Sequence, residues 1–552
     1  MAPIRLTNAG FLQDDWRIKR NLTINLGVRF DHDLPYSESF GRTVDGFNTT
    51  APNPISAAAV AAYAKSPIPQ IPVGSFSVPG GLTFPSSGNG AVYQSTSHLF
   101  SPRVGVAWSP EALHNKTVIR GGFGIFVAPA TLDNLAVNGT YSSNPLVDQE
   151  GFSQTTSMVV PSNFLTPAAT LTNPFPTGIL APVGSSQGLA TFNGQTISFM
   201  NPDIKDPYSI RWNVGVQHTF GKDFLLEVMY LGNHSVHLPI AVTQLDVIPR
   251  QFLSTLPTRD QNLINSLTAT VTNPLSGLIP GTSLSSSTTT AEQVLSVFPQ
   301  YPAGEASGST GVIEQNLSAG SSYFESLNLR VEKRLSHGLS IIGNYIYSKL
   351  MEQDSWLNDT DVRPEKRISP FDHPNHFVLA ASYELPIGRN RLVNLQSRWA
   401  NAFLGGWLLN GIYTAQTGAP LLWTNGSSTT PGDYVYFGGP LDLNDRQVNG
   451  AAFNAAVFDT KSADQYQYHI RDMSTTFGNL RQDGIDNLDA SLLKSFYFTE
   501  RIYFQLRLEA FNVINHPTFS APNTTVTSTS FGLITAQANL PRQIRLGARL
   551  VW

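Results

Sequence analysis

Apolar residues recur at every second position in one stretch of the chain after another. In residues 21–31, Leu22, Ile24, Leu26, Val28 and Phe30 alternate with Asn21, Thr23, Asn25, Gly27, Arg29 and Asp31. In residues 501–510, Ile502, Phe504, Leu506, Leu508 and Ala510 alternate with Arg501, Tyr503, Gln505, Arg507 and Glu509. The last stretch repeats the pattern, with Ile544, Leu546, Ala548, Leu550 and Trp552 set against Gln543, Arg545, Gly547, Arg549 and Val551. Successive side chains of a strand point to opposite faces, so each stretch has one oily and one largely polar face. The pattern predicts thirteen strands, at 9–17, 22–32, 98–109, 116–128, 208–220, 223–233, 322–335, 338–349, 374–385, 405–417, 487–498, 501–512 and 542–552. Most exceed the roughly 5–6 residues of an ordinary strand and suit the roughly 9–11 that a tilted strand needs to cross hydrocarbon.

The connections sort by length. Short ones such as Gly221-Lys222 and Thr499-Glu500 alternate with long ones at 33–97, 129–207, 234–321, 350–373, 418–486 and 513–541. Bacterial outer-membrane barrels have this asymmetry, with tight periplasmic turns and long outer loops. The expected fold is therefore all-β, an antiparallel transmembrane β-barrel with long extracellular loops, forming one domain over 1–552. The oily faces are nearly free of charge, while the other faces carry Arg29, Arg103, Arg120, Arg211, Glu227, Arg330, Glu332, Glu384, Arg507, Glu509, Arg545 and Arg549. An Arg or Lys facing lipid at mid-bilayer costs about 2–4 kcal/mol, so these charges belong on the lumen wall. Phe30, Trp108, Phe126, Tyr208, Phe220, Phe224, Tyr230, Tyr347, Tyr383 and Trp552 gather near strand ends and predict an interfacial girdle. A soluble β-protein with its oily faces packed together is the alternative, and it leaves the loop sorting unexplained.

Composition narrows the chemistry. Charged residues make up 13% of the chain, about half the usual share of roughly 25%. A net charge of −4 offers no basic excess for phosphate contacts, so nucleic acid is not an expected partner. The absence of Cys excludes disulfide scaffolds, thiolate zinc sites and a Cys nucleophile. No stretch reaches the roughly 18 consecutive apolar residues of a spanning helix. Met1 is followed by Ala-Pro-Ile-Arg-Leu-Thr with no apolar core, so no signal peptide is expected here.

No enzyme constellation emerges. Gly184-Ser185-Ser186-Gln187-Gly188 fits the G-x-S-x-G nucleophile elbow in letters, but no predicted strand feeds it. Gly121, Gly122 and Gly124 fall inside a strand, where glycines let bulky neighbours or an inserted domain pack closely. The pairs His373/His376 and His234/His237 sit at loop–strand junctions and read as solvated histidines. Asp354, Asp359, Asp361 and Asp372 crowd one loop without the ligand spacing of a calcium loop. Catalytic residues, metal ligands and cofactors are accordingly none. The Ala-rich run 55–64 predicts a short helix before the Pro-rich 67–72; this loop and the one with the low-complexity run 285–290 read as exposed, variable segments. The basic connection 386–404, with Arg389, Arg391 and Arg398, predicts a small surface helix. Tyr141, Phe152, Trp356, Trp423, Tyr434 and Tyr436 either stack on a sugar or pack the loops together, so ligand-binding residues stay unassigned.

Several segments carry a family resemblance. They are Phe11-Leu12-Gln13-Asp14-Asp15-Trp16 leading into residues 22–30, Ser101-Pro102-Arg103-Val104-Gly105 and Arg120-Gly121-Gly122-Phe123-Gly124. Asn201-Pro202 to Trp212-Asn213, Leu508-Glu509-Ala510-Phe511-Asn512-Val513 and the terminal strand closed by Trp552 add to it. Together they resemble the C-terminal barrel portion of TonB-dependent outer-membrane transporters, in particular the Oar-like branch. The resemblance implies uptake of a large solute by a barrel seated in outer-membrane lipid, sealed by a plug and energised through TonB. It also implies that the alternating last strand, Ile544, Leu546, Ala548, Leu550 and Trp552, is the insertion signal read by the barrel-assembly machinery. The family's barrel has twenty-two strands; thirteen would leave nine missing, along with the plug, the TonB-contacting segment and the signal peptide. The expectation is an N-terminally truncated chain. A passive porin and a surface adhesin or binding protein on the same barrel are the rival functions, with a soluble carbohydrate-binding β-protein behind them. The loops select no particular solute among siderophores, cobalamin, oligosaccharides and peptides.

Overall fold

The computed structural model describes residues 7–35, 37–38, 42–85, 90–94, 99–114, 116–128, 136–137, 140–141, 170–176, 178–304, 309–423, 433–443, 450–499 and 501–552. Much of the predicted loop 129–207, Phe152 within it, and Glu500 lie outside these residues.

All thirteen predicted strands form, in one antiparallel sheet ordered as in the sequence. They are β1 (Thr7–Lys19), β2 (Leu22–Asp33), β3 (Leu99–Trp108), β4 (Thr117–Val127), β5 (Tyr208–Phe220), β6 (Phe224–Ile240) and β7 (Leu317–Ser336). There follow β8 (Leu339–Gln353), β9 (Asn375–Glu384), β10 (Trp407–Gln416), β11 (Ile485–Tyr497), β12 (Tyr503–Phe511) and β13 (Gln543–Val551). Each pairs with its neighbours in sequence, while β1 and β13 pair with one strand only, so the sheet is open. No described helix is long and apolar enough to cross a membrane.

Register carries the alternation across the sheet. One row on the apolar face runs Ile24, Val106, Gly121, Val214, Tyr230, Leu327, Tyr347. The adjacent row on the other face runs Asn25, Gly105, Gly122, Asn213, Leu231, Ser326, Ser348. A one-residue slip of any strand would exchange the two faces, which is what fixes the register. Trp212 lies over Gly232, where an added Cβ would stand 2.2 Å from the indole. At the short-turn end, His337 and Gly338 both have positive φ, 52° and 78°, the geometry of a two-residue hairpin turn.

Several strands overrun their predicted ends, β6, β7 and β8 by four residues or more. β6 continues seven residues past Asn233, and β7 starts five residues before the predicted Ser322. The added stretch pairs through two register shifts and lacks an apolar period, because it has left the oily band and neither face needs to be apolar. There His234 stacks on Tyr323 with centroids 3.9 Å apart, and His237 meets Tyr208 edge-on. These histidines are thus packed against aromatic rings.

The buried core sits in the loops. One cluster joins Tyr63, Phe76 and Val78 of the first loop to Leu267, Leu275 and Leu295 of the third and Tyr468 of the fifth. A second joins Val44 and Leu82 to Ile197, Phe199, Phe298 and Tyr301. A third joins Leu421, Trp423, Phe453 and Phe458 of the fifth loop to Val526, Phe531 and Ile534 of the sixth. The expectation of exposed loop segments is corrected here. The predicted helix forms as α1 (Ser56–Tyr63), but Tyr63 is buried and its hydroxyl donates to the Ile71 carbonyl at 2.7 Å. The low-complexity run 285–290 itself stays mostly exposed, and its end Thr288–Thr290 pairs with Thr270–Thr272.

Candidate functional site

Two surfaces have the make-up of a working site: the charged face of the sheet, and the cap built by the loops above it. On the sheet, all twelve charges predicted for the lumen wall share one face. Arg103 lies beside Gly27 and Gly124, and Gly124 beside Arg211; Glu227 stands opposite Arg330; Glu509 stands between Ser491 and Arg545. Pairing along a strand is common, as in Arg330–Glu332 at 3.0 Å and Arg507–Glu509 at 2.5 Å. The apolar face carries charge near its margins, with Lys333 and Lys494 at the short-turn end and Glu325 opposite Lys349 at the long-loop end. Asp14 also reaches that face, on the edge strand β1 opposite Leu26.

The charged face is less polar than its sequence suggests. Leu231, Ile342, Ile412 and Leu493 share it, and Ile342 and Ile412 are 39% and 51% exposed. Phe126, expected in the girdle, lies here too: it is five residues from Gly121 and therefore on the opposite face. Its ring is sandwiched by Arg103 at 4.6 Å and Arg211 at 5.1 Å. Around it is a groove of about 400 Å³ lined by Asn25, Arg103, Phe126, Arg211 and Asn213 over Gly27, Gly105, Gly122 and Gly124. Part of the floor is tight: a Cβ on Gly124 would stand 3.0 Å from the Phe126 ring and one on Gly122 3.1 Å from the Asn213 amide, while Gly27 and Gly105 leave ordinary contact distances. Among the described residues neither Arg103 nor Arg211 has a carboxylate within 4.0 Å. The other girdle residues fall on the apolar face, but Tyr230 pairs with Val214 in mid-strand rather than at an end.

The second groove, of about 580 Å³, lies where β11 and β13 meet the sixth loop and is lined by Asn487, Asp489, Asn512, Asn539 and Arg545. Asp489 accepts the Asn512 backbone N–H at 2.8 Å, and Arg545 lies over the Phe511 ring.

The cap holds its loops together with buried charge. Arg367 bonds Glu352, Asp354 and the Thr475 hydroxyl, while Glu365 accepts from Ser474 and from both the N–H and hydroxyl of Thr475. Arg481 meets Asp372 at 2.6 Å, with the carboxylate side chain 1% exposed. Asp361 pairs with Arg250 at 2.6 Å. Burial pushes Asp359 up to about 6 and Glu314 up to about 7. Asp354, Asp361 and Asp372 each pair with a different arginine, while Asp359 is buried near Asp361 and Arg471. Trp423 is 1% exposed within a cage of aromatic rings, and the Trp356 indole donates to Thr243 at 3.1 Å. These aromatics pack the loops. Tyr436 is partly exposed, its hydroxyl bonded to the Gly439 carbonyl. Tyr141 belongs to the short strand Thr140–Tyr141.

The discounted motifs fall elsewhere. Ser186 gives its hydroxyl to the Val183 carbonyl at 2.7 Å, inside the 3-10 segment Gly184–Ala190. Ile544, Leu546, Leu550 and Trp552 line the apolar face at the free edge, 64%, 86%, 52% and 87% exposed, with Ala548 among them. Trp552 itself follows the last residue of β13.

An open-edged antiparallel sheet with one oily face and all its long loops at one end defines an outer-membrane barrel wall. Over residues 3–545 the chain matches the outer membrane beta barrel domain family, and it belongs to that family. Its place is the bacterial outer membrane, and the family is one of membrane barrels rather than of enzymes. Among solved structures it is similar to the ferric-catecholate import receptor Fiu of Escherichia coli K12, at 12% identity and a TM-score of 0.39, over 99% of this chain and 44% of that one. The ferripyoverdine receptor of the Pseudomonas aeruginosa outer membrane gives 8%, 0.38, 99% and 38%. The Escherichia coli outer membrane transporter YddB gives 10%, 0.40, 99% and 54%. The chain thus spans about half or less of the length of these structures. No curated protein sequence matches it.

Proposed function

We propose that this chain is the wall and capture-loop portion of an outer-membrane transporter for a large solute, energised through TonB in the intact protein. The observation that carries the reading is the make-up of the charged face. A water-filled pore needs no glycine floor and gains nothing from bare isoleucines on its wall. An inserted plug domain supplies a packing partner for both, beside the Arg103–Phe126–Arg211 sandwich. Arg and Glu interspersed on one wall suit pairing with such a domain, where a selective open pore has a one-sided charge ring.

Strand direction supports a larger ring. β1 and β13 both run from the long-loop end to the short-turn end, and each leaves an edge free. A bilayer leaves no edge unpaired, and an all-antiparallel ring has an even strand count. An odd number of further strands therefore stands between the two edges, and the nine that separate thirteen from twenty-two meet that parity. In this reading residues 1–552 are one barrel unit of a longer protein, whose remainder brings those strands, the plug and the TonB contact. The exposed apolar row ending in Trp552 is then the segment the barrel-assembly machinery receives.

The test is the gene. An in-frame extension upstream of Met1 encoding an odd number of spanning strands and a plug is the expected result; a promoter and stop codon directly before Met1 would overturn it. The protein from the complete frame should import its solute only with TonB present. Steady conductance in a planar bilayer would instead favour a passive porin.

A further inference from the structure

We propose that the connection between β9 and β10 is a lipid anchor, inserted into anionic phospholipid of the periplasmic leaflet; this rests on the membrane reading above. The connection contains α2 (Arg398–Leu404), begun by Ser397, whose hydroxyl accepts the Ala400 N–H. Most other short-end connections are tight turns, so this longer one needs a reason.

Its position is set by contacts with the apolar side of the sheet. Phe403 meets Phe496 edge-on at 6.4 Å, and Phe496 pairs with Phe504 in the apolar row. The Trp407 indole donates to the Phe403 carbonyl at 3.0 Å. Lys494, opposite Trp407 and Leu506, is 3% exposed beneath the helix end and gives its ammonium to the Gly405 carbonyl. α2 therefore sits outside the wall, on the side that faces lipid, where a plug does not reach.

What it turns outward is apolar. Trp399 is 75% exposed, Phe403 61%, Leu404 56% and Leu392 88%. Bare rings on a water-facing helix would be a liability, but here they extend the lipid-facing band at the headgroup level, where Trp and Phe settle. The charge fits the same occupant. Residues 386–404 hold Arg389, Arg391 and Arg398 with no acidic residue, in a chain of net charge −4. Arg391 pairs with Glu384, while Arg389 and Arg398 have no carboxylate partner among the described residues. Two exposed guanidiniums beside exposed rings match anionic headgroups above acyl chains. The anchor fixes the depth of β9 and β10 in the bilayer.

The chain has no Cys, so single nitroxide labels report without background. The full chain is reconstituted in phosphatidylethanolamine–phosphatidylglycerol vesicles with a label at Phe403→Cys or Trp399→Cys. Val214→Cys marks the middle of the apolar band and Leu171→Cys the aqueous loops. The expected result is an oxygen-to-nickel-chelate collision ratio at 403 and 399 several-fold above that at 171 and below that at 214. Arg389→Gln with Arg398→Gln should move the 403 label toward water. Nickel access at 403 with oxygen access at 214 would overturn the anchor alone. Shielding of 403 from both reagents would mean a protein partner, such as a second copy, and would overturn it equally. Nickel access at 214 would overturn the membrane reading and the anchor with it.

Discussion

Replacing Trp423 by Ala should open the loop cap and leave the barrel wall intact. The indole has rings on every side: Phe458 at 5.1 Å, Phe453 at 5.2 Å, Phe477 at 5.6 Å, Phe531 at 5.8 Å and Tyr434 at 6.2 Å between centroids. A buried Trp removes roughly 150–250 Å² from water, or about 4–6 kcal/mol at ~25 cal/mol/Å². Measured truncations of this kind cost about 3–5 kcal/mol once the site partly collapses, and that is the range to expect. The loss falls on the cluster shared by the fifth and sixth loops, which has no member in the strand ladder. Local opening should therefore rise by roughly two to four powers of ten while the sheet stays paired. Limited proteolysis of the membrane-embedded protein reads this as faster cleavage within 418–484 and 513–541. Heat-modifiable gel mobility serves as the control for the wall. Trp423→Phe, which keeps a ring in the cage, should change cleavage far less. Cleavage unchanged in Trp423→Ala would refute a folded cap, and loss of mobility together with the cap would refute its independence from the wall.

Other outcomes follow from the same geometry. Arg481→Met leaves the Asp372 carboxylate buried without its cation and should destabilise the junction of the fourth and fifth loops by about 3–5 kcal/mol, with Asp372→Asn on the same background recovering part of it; hydrogen exchange of residues 350–374 reads both. Glu314 binds its proton more tightly when folded, with a value of about 7 against an ordinary 4.5, so the folded cap holds more protons between those values. Cap stability should then be highest below pH 4.5, fall as pH rises to about 7 and level off above; Glu314→Gln should flatten that part of the profile in a proteolysis series. Val214→Arg puts a charge at mid-band on the oily face and should cost about 2–4 kcal/mol of membrane folding stability, whereas Asn213→Arg, one residue away on the charged face, should cost much less in the same urea titration.

The strands were legible because a membrane wall imposes a strict period. Leu22 to Phe30 and Ile544 to Leu550 need one oily face each, and a helix does not write that alternation into a sequence. Their ends were less legible: β6 runs on through His234, Val236 and Leu238, where pairing continues although the demand for an oily face has stopped. The cap was illegible for the opposite reason. Tyr63, Leu267 and Tyr468 meet across hundreds of residues, and nothing local in the run 55–64 announces the partner. Phe126 was misplaced because its nearness to a strand end suggested a girdle; its parity with Gly122 and Gly124 already put it beside Arg103 and Arg211, and reading parity before position would have found the groove. The apolar row at Ile544, Leu546, Ala548, Leu550 and Trp552 was readable as an oily face, and it lies on the strand whose outer edge is free.

The account rests on which side of the sheet meets lipid, and β5 tests that most directly. Single cysteines at 211, 212, 213, 214, 216 and 217, each carrying a polarity-sensitive bimane, can be compared in vesicles of the reconstituted chain. The account predicts blue-shifted emission at Trp212, Val214 and Val216 and red-shifted emission at Arg211, Asn213 and Gln217, alternating with period two. Uniform emission along β5, or the alternation reversed, would contradict a barrel wall that turns its apolar face to the membrane.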